Sequence, residues 1–91
     1  MMKSIKFSKH EEERRYNEIQ RYLDAEITFD SFEDASDFLD YLETRKNNTW
    51  RGCLEMFDEE SNTMIVFTEF EYGEMGNKKQ EIKDYWYDYC N

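Results

Sequence analysis

The chain has 91 residues, 22 acidic against 12 basic side chains and a formal net charge of −10, which opposes binding to nucleic acid or anionic membranes. An aromatic content of 18% argues against disorder. No segment approaches the roughly 18 consecutive apolar residues that a membrane-spanning helix needs. We therefore expect one soluble acidic domain over residues 1–91, whose charge attracts basic partners.

The cysteine content bears on the cellular compartment. Only Cys53 and Cys90 are present, whereas a secreted domain of this size usually carries several disulfides. The first residues contain no apolar run of the signal-peptide type. We expect a cytoplasmic protein with reduced thiols, in which Cys53 lies buried in a strand and Cys90 is exposed.

The first third of the chain is predicted to contain a strand, a helix and a second strand. Residues 4–7 alternate between polar and apolar and suit a short edge strand. Ser8 and Glu11 have the spacing of a capping box, and apolar residues then recur at helical spacing, so a helix is predicted over 9–23. The β-rich segment 26–29 follows as a short strand.

A second helix is predicted to follow directly. Asp30 or Ser31 can cap its first turn, and residues 46–48 are expected to end it. Its apolar residues recur at helical spacing and predict one buried stripe. The stripe consists of Phe32, Ala35, Phe38, Leu39 and Leu42.

A hairpin is the clearest β signal in the sequence. Residues 50–57 and 63–72 are predicted to be its strands, and the polar segment 58–62 its turn. The second strand is apolar on both faces at its start, which places that half in the centre of the sheet. Residues 73–77 are expected to form a loop.

The C-terminal segment 78–89 fits two interpretations. Ile82, Tyr85, Trp86 and Tyr89 recur at helical spacing, although tyrosine and tryptophan also suit a strand. We favour the helix, which Asn77 and Gln80 could start with a capping box. The expected fold class is α+β: a small antiparallel sheet built on a long hairpin and packed by two or three helices, in the approximate order β-α-β-α-β-β-α.

Acidic residues are concentrated in two segments. Residues 22–44 carry eight acids and no base, and residues 52–77 carry seven acids and no base. Asp34, Asp37 and Asp40 lie three apart on the predicted second helix, where like charges repel by a few tenths of a kcal/mol per pair. One interpretation is a solvated surface without further role. The other is a face that engages a basic cleft, and the function predicted below depends on it.

The C-terminal aromatic residues are the second unusual feature. Tyrosine and tryptophan are common anchors of protein interfaces, and they cannot all face one core if the segment is a helix. One interpretation places Trp86 in the core with the tyrosine hydroxyls at its edge. The other makes this segment a partner or dimer surface. The predicted partner-binding set is Glu33, Asp34, Asp37, Asp40, Asp58, Glu59, Glu60, Glu69, Glu71, Tyr85 and Tyr87.

No pattern typical of catalysis or metal binding is present. His10 is the only histidine, and its position suggests an exposed neighbour of a helix start. Two cysteines and one histidine fall short of a four-ligand zinc site. The turn at 58–62 lacks the spacing of a calcium loop, and no glycine-rich phosphate loop exists. We expect no catalytic residues, cofactor or metal.

The function predicted from these features is that of a non-catalytic binding protein. In its sharpest form it is an acidic inhibitor that occupies a basic nucleic-acid-binding surface of a larger protein, such as a nuclease, in the manner of a DNA mimic. Its composition resembles that of anti-restriction and anti-CRISPR proteins of mobile elements such as phages. The alternative is a structural or regulatory accessory subunit, antitoxin-like or homodimeric, that docks through its C-terminal aromatic segment.

Overall fold

The computed structural model describes residues 4–13, 18–44 and 49–90. The described residues form a four-stranded antiparallel sheet and two α-helices, so the predicted α+β class is confirmed. The strands lie in the order β1-β2-β4-β3 across the sheet. Along the chain the elements are β1 (Ser4–Glu13), β2 (Ile19–Thr28), α1 (Phe32–Thr44), β3 (Arg51–Gly52), a 3₁₀ turn (Leu54–Met56), β4 (Thr63–Glu69) and α2 (Met75–Cys90).

Two antiparallel strands lie where the sequence suggested a first helix, so the helix predicted over 9–23 is wrong for residues 9–13 and 19–23; residues 14–17 lie outside the described residues. Strands β1 and β2 pair from Ser4 opposite Thr28 to Glu13 opposite Ile19 without a break in register. The capping-box spacing and the helical recurrence are local signals of small energy. The alternation of buried residues along β2 has a period of two, and burial of one face against the helices outweighs those signals. The predicted strand 26–29 overlaps the end of β2.

The hairpin predicted over 50–72 is present only in part. Strand β4 lies between β2 and β3, as expected for its position in the centre of the sheet. Its partner β3 has only two residues. Beyond them, half-buried Leu54 and Phe57 lie three apart, the spacing of a 3₁₀ turn, and the Phe57 amide donates to the Leu54 carbonyl at 3.1 Å. Side chains in a strand alternate with a period of two, so a segment whose half-buried residues lie three apart cannot continue β3. Pairing with the chain of β4 therefore stops after Gly52 and resumes only at the bridge between Asp58 and Thr63.

Helix α1 forms as the sequence predicts. The Asp34 amide donates to the Ser31 side-chain oxygen at 3.2 Å, so Ser31 acts as the cap. The helix ends at Thr44 in the described part, and the predicted end at 46–48 lies outside the described residues. Phe32 is the exception to the buried stripe, because it is 47% exposed and packs against Phe57 with ring centroids 5.4 Å apart.

Helix α2 confirms the helical interpretation of 78–89. It begins at Met75, inside the expected loop, so Asn77 lies within the first turn and does not cap the helix. The loop before α2 contains Gly73 with a φ of 86°, a conformation that favours glycine. Ile82 and Trp86 are the fully buried residues of this helix.

Both helices pack on one face of the sheet and enclose a single core. Trp86 is its centre, with T-shaped contacts to Phe38 and Phe29 at centroid distances of 4.8 and 5.0 Å. The opposite sheet face is open, and there Ile65 and Phe67 are 46% and 41% exposed. The core residues are Leu23, Ala25, Ile27, Phe29, Ala35, Phe38, Leu39, Leu42, Trp50, Met64, Val66, Ile82 and Trp86.

Candidate protein-interaction surface

The outer face of α1 carries only acidic charge. Glu33, Asp37 and Asp40 are exposed on it, and Glu43, which is not among the predicted partner-binding residues, continues the same row. We call these four residues the acidic stripe. Neighbouring carboxylates are three or four residues apart, about one helical turn of 5.4 Å, so the stripe is about 15 Å long. Among the described residues, no ion pair involves any of the four.

The acidic stripe is not an arrangement that stabilises its own helix. Glu33 lies in the first turn, where a negative charge interacts favourably with the helix dipole and stabilises the helix. Glu43 lies in the last turn, where a negative charge is unfavourable by a few tenths of a kcal/mol, and that turn contains no base. Repulsion between neighbouring carboxylates adds to this cost. The stripe therefore concentrates negative potential at some expense of helix stability.

Asp34 has a different environment from the acidic stripe. It is half-buried, and its carboxylate accepts a hydrogen bond from the Tyr89 hydroxyl at 3.2 Å. Burial, together with the nearby Asp34 charge, raises the pKa of Tyr89 to about 12. Asp34 thus belongs to the junction between α1 and α2, although it was predicted to be one of the exposed partner-binding acids.

The turn before β4 presents a second group of acids. Asp58, Glu59 and Glu60 are all exposed. The Glu60 amide donates to the Asp58 carboxylate at 2.9 Å, and this bond, with one from Ser61, lowers the pKa of Asp58. Asp58 therefore organises the turn, which leaves Glu59 and Glu60 on its outside.

The acidic turn and the start of α1 are brought together by the fold. The Phe29 amide, three residues before α1, donates to the Asn62 carbonyl at 2.8 Å. Asn62 has a φ of 57°, in the left-handed region that asparagine tolerates. Phe32 and Phe57 pack together beside this bond. The turn is consequently adjacent to the end of the acidic stripe that begins with Glu33.

Glu69 and Glu71 lie apart from that surface. Strand β4 has seven residues, so its two ends are separated by about 20 Å. Both glutamates line a cleft of about 450 Å³ between the end of the sheet and the start of α2. Arg21 and Lys78 line the same cleft, so its charge is mixed. These two predicted residues do not join the acidic stripe.

The predicted aromatic surface is reduced to one strongly exposed side chain. Tyr87 is 69% exposed on α2. Tyr85 is half-buried against the core, Trp86 is fully buried, and Tyr89 contacts Phe38 at a centroid distance of 5.3 Å. Most of this segment therefore stabilises the fold, and Tyr87 alone could anchor a partner by a large contact.

The histidine and one cysteine lie in settings that differ from the predictions. His10 is exposed as expected but lies in β1, not beside a helix start, and it stacks on Tyr22 at 4.9 Å with Nδ1 3.5 Å from the Asp24 carboxylate. Cys53 is exposed because it precedes the 3₁₀ turn, so its predicted burial in a strand is wrong. Cys90 is exposed, as predicted.

No cluster of three or more metal-ligating side chains occurs within residues 4–13, 18–44 and 49–90. No helix in the described part of the chain is both long and apolar enough to cross a membrane. Comparison with protein-family models, with curated proteins and with solved structures returned no match to this chain.

Proposed function

We propose that this protein is a non-catalytic inhibitor whose acidic stripe occupies a basic, nucleic-acid-binding surface of a larger protein. The observation that supports this function is the row of four exposed carboxylates on α1, with no cation on the same helix. Lysine and arginine side chains that neutralise phosphates in a nucleic-acid site would meet carboxylates there at one-turn intervals.

The electrostatics of such a complex favour fast association. An exposed carboxylate contributes little alone, because water and salt screen it. Several carboxylates in one row sum their fields and steer a basic surface towards them, which raises association rates by factors of about 10 to 1,000. The adjacent turn with Glu59 and Glu60 extends the same potential beyond the start of α1.

The test removes charge from the stripe without changing its shape. The variant Asp37→Asn, Asp40→Asn, Glu43→Gln keeps the helix. It also leaves the hydrogen bond between the Tyr89 hydroxyl and the Asp34 carboxylate intact. Tagged wild-type protein is used to isolate the partner from a lysate of its source organism at low salt, and association rates are then measured with the purified partner over a salt series. We expect the variant to associate about tenfold more slowly, with a shallower salt dependence. Its thermal midpoint should be unchanged or slightly raised.

The matched control removes three charges at the other end of the molecule. The variant Glu69→Gln, Glu71→Gln, Glu74→Gln has the same net charge as the stripe variant, and all three residues are exposed. It should associate nearly as fast as wild type. Equal slowing by both triple variants would show that only net charge matters, which would contradict a role for α1.

Exposed Tyr87 supports the second candidate, an accessory subunit that docks through α2. Tyr87→Ala leaves the charge unchanged and tests that surface. Loss of binding in Tyr87→Ala, combined with wild-type association of the stripe variant at low salt, would refute the acidic inhibitor and favour the accessory subunit.

A further inference from the structure

Strand β1 forms an edge of the sheet of a kind that proteins rarely leave open. It has ten residues, and in the sheet it pairs with β2 alone. Its register contains no bulge, and residues 8–13 are all exposed. Edge strands are normally short, bulged or covered, because their outward N–H and C=O groups can pair with another strand. Strand β3, at the opposite edge, follows that rule with only two residues.

The order of charges along β1 is complementary to itself. Lys6 lies in its first half, Lys9 lies just past its middle, and Glu11, Glu12 and Glu13 occupy its end. When such a strand pairs antiparallel with a copy of itself about its middle, Lys6 of each strand lies against the acidic end of the other. Opposite charges on facing residues of neighbouring strands are stabilising, and like charges are destabilising.

A second complementarity lies on the helix side of the same edge. Lys79 and Lys83 of α2 lie over the Phe7 ring, with Nζ 5.4 and 5.7 Å from its centroid. Neither lysine forms an ion pair with a described residue. An acidic strand paired to β1 at Phe7 would bring carboxylates beneath these two ammonium groups.

We propose that two copies of this chain associate through antiparallel pairing of their β1 strands. The dimer would contain an eight-stranded sheet, with four strands from each copy. Such a two-fold interface is isologous and is a common mode of strand addition. The proposal is independent of the inhibitory function, since it concerns the sheet edge and not the acidic stripe.

Side-chain orientation limits the registers, because directly opposed residues share one face of a sheet. We propose the register in which Lys9 of the two copies lie opposite each other at the two-fold axis. Lys6 then lies opposite Glu12 of the second copy, twice in the dimer, on the open face. On the helix face Phe7 lies opposite Glu11 of the second copy, below Lys79. The charge of each Lys9 is already compensated by Glu11 of the same chain, whose carboxylate oxygen lies 3.4 Å from the Lys9 Nζ.

This geometry has a consequence for the acidic stripe. A two-fold axis perpendicular to the sheet keeps both helix layers on the same side of the sheet. The two copies of α1 would therefore present their carboxylates in the same direction. A partner with two basic sites, or one long basic groove, would contact both copies.

The test is a charge exchange followed by sedimentation equilibrium over a roughly hundredfold range of protein concentration. Wild type should show a reversible monomer–dimer equilibrium. Lys6→Glu alone and Glu12→Lys alone should each weaken dimerisation by about tenfold or more, because like charges then face each other twice. The double variant should restore it. An equimolar mixture of the two single variants should form a heterodimer, since residues 6 and 12 then carry opposite charges in both of their facing pairs.

Two controls separate this interface from other causes. Glu43→Lys changes net charge as Glu12→Lys does but lies on α1, so its dimer should be at least as stable as that of wild type. Far-ultraviolet circular dichroism and thermal midpoints establish that each variant is folded. A wild-type protein that remains monomeric at all concentrations would overturn the proposal. So would single variants that dimerise like wild type, or a mixture of the single variants that forms no heterodimer.

Discussion

The Tyr89 hydroxyl, near the end of α2, donates a hydrogen bond to the Asp34 carboxylate in the first turn of α1, with the two oxygens 3.2 Å apart. The bond ties the end of one helix to the start of the other at the edge of the core. Tyr89 also packs on Phe38 and Tyr41, at centroid distances of 5.3 and 5.5 Å. The hydroxyl is thus held in place by the rings around it.

Removal of this hydroxyl should destabilise the protein in a pH-dependent manner. We expect Tyr89→Phe to lower the free energy of unfolding by about 1 kcal/mol at neutral pH. The pKa of Tyr89 is raised from 10.0 to about 12 in the folded protein, so the unfolded chain ionises first. The stabilisation is therefore complete below pH 10 and is lost as the pH rises towards 12. Urea titrations of both proteins across this range should show their difference in stability shrinking, and a constant difference would contradict the assignment.

The two buried tryptophans should respond differently to the same substitution. The Trp50 indole N–H donates to the Glu81 carboxylate at 2.9 Å, whereas the Trp86 indole N–H has no acceptor among the described residues. Both changes to phenylalanine remove similar volume, but only Trp50→Phe breaks a charge-assisted bond. We expect Trp50→Phe to be the more destabilising, by about 1–2 kcal/mol in chemical denaturation. Equal losses would show that the bond to Glu81 contributes nothing measurable.

Replacement of Gly52 and of Gly76 by alanine should change the stability of the protein in opposite directions. A Cβ on Gly52 would lie 3.0 Å from the Val66 side chain and 3.1 Å from that of Leu39, and both neighbours belong to the packed core. Gly52→Ala should therefore lower the free energy of unfolding by about 1–3 kcal/mol. A Cβ on Gly76, in the first turn of α2, meets nothing within 4 Å. Gly76→Ala should raise stability by about 0.5–1 kcal/mol. Thermal midpoints that shift in the same direction would contradict this packing.

Both thiols should react readily in the native state. Cys53 and Cys90 are exposed, so a thiol reagent should modify two groups per chain without denaturant. Cys53→Ser should change stability by less than about 0.5 kcal/mol, as expected for a surface position. A Cys53 that reacts only after unfolding would show that the segment before the 3₁₀ turn is buried after all.

The two helices illustrate which elements can be predicted from local sequence. The residues of α1 and the second half of α2 place their apolar side chains at helical spacing, and amphipathic helices of this length bury that stripe wherever they pack. Ser31 caps α1 because its side-chain oxygen is one residue before the first turn, a relationship contained within four residues. The acidic stripe follows from the same periodicity, which extends to Glu43 when the row is continued from Glu33.

The first hairpin could not be predicted in this way. The segment 8–23 carries a capping-box pattern and helical recurrence, yet residues 8–13 and 19–23 pair as parts of β1 and β2. Their hydrogen bonds join residues far apart in sequence, as with Ser4 and Thr28, whose hydroxyl oxygens lie 2.9 Å apart. Local preference amounts to tenths of a kcal/mol per residue, whereas burial of a large apolar side chain contributes about 1.5–3 kcal/mol. The strand conformation, which buries Leu23 and Ile27, is therefore more stable than the helix that the local pattern predicted.

The sequence by itself determined the net charge, the periodicity of the two helices and the acidic row on α1, because these depend on composition and on neighbours within one or two turns. Only the tertiary structure decided that Asp34 belongs to a helix junction, that Glu69 lies far from the acidic stripe, and that β1 forms an open edge. Each of these depends on which distant segments pack together. Those contacts are selected by burial of the core as a whole, and no local pattern in the sequence records them.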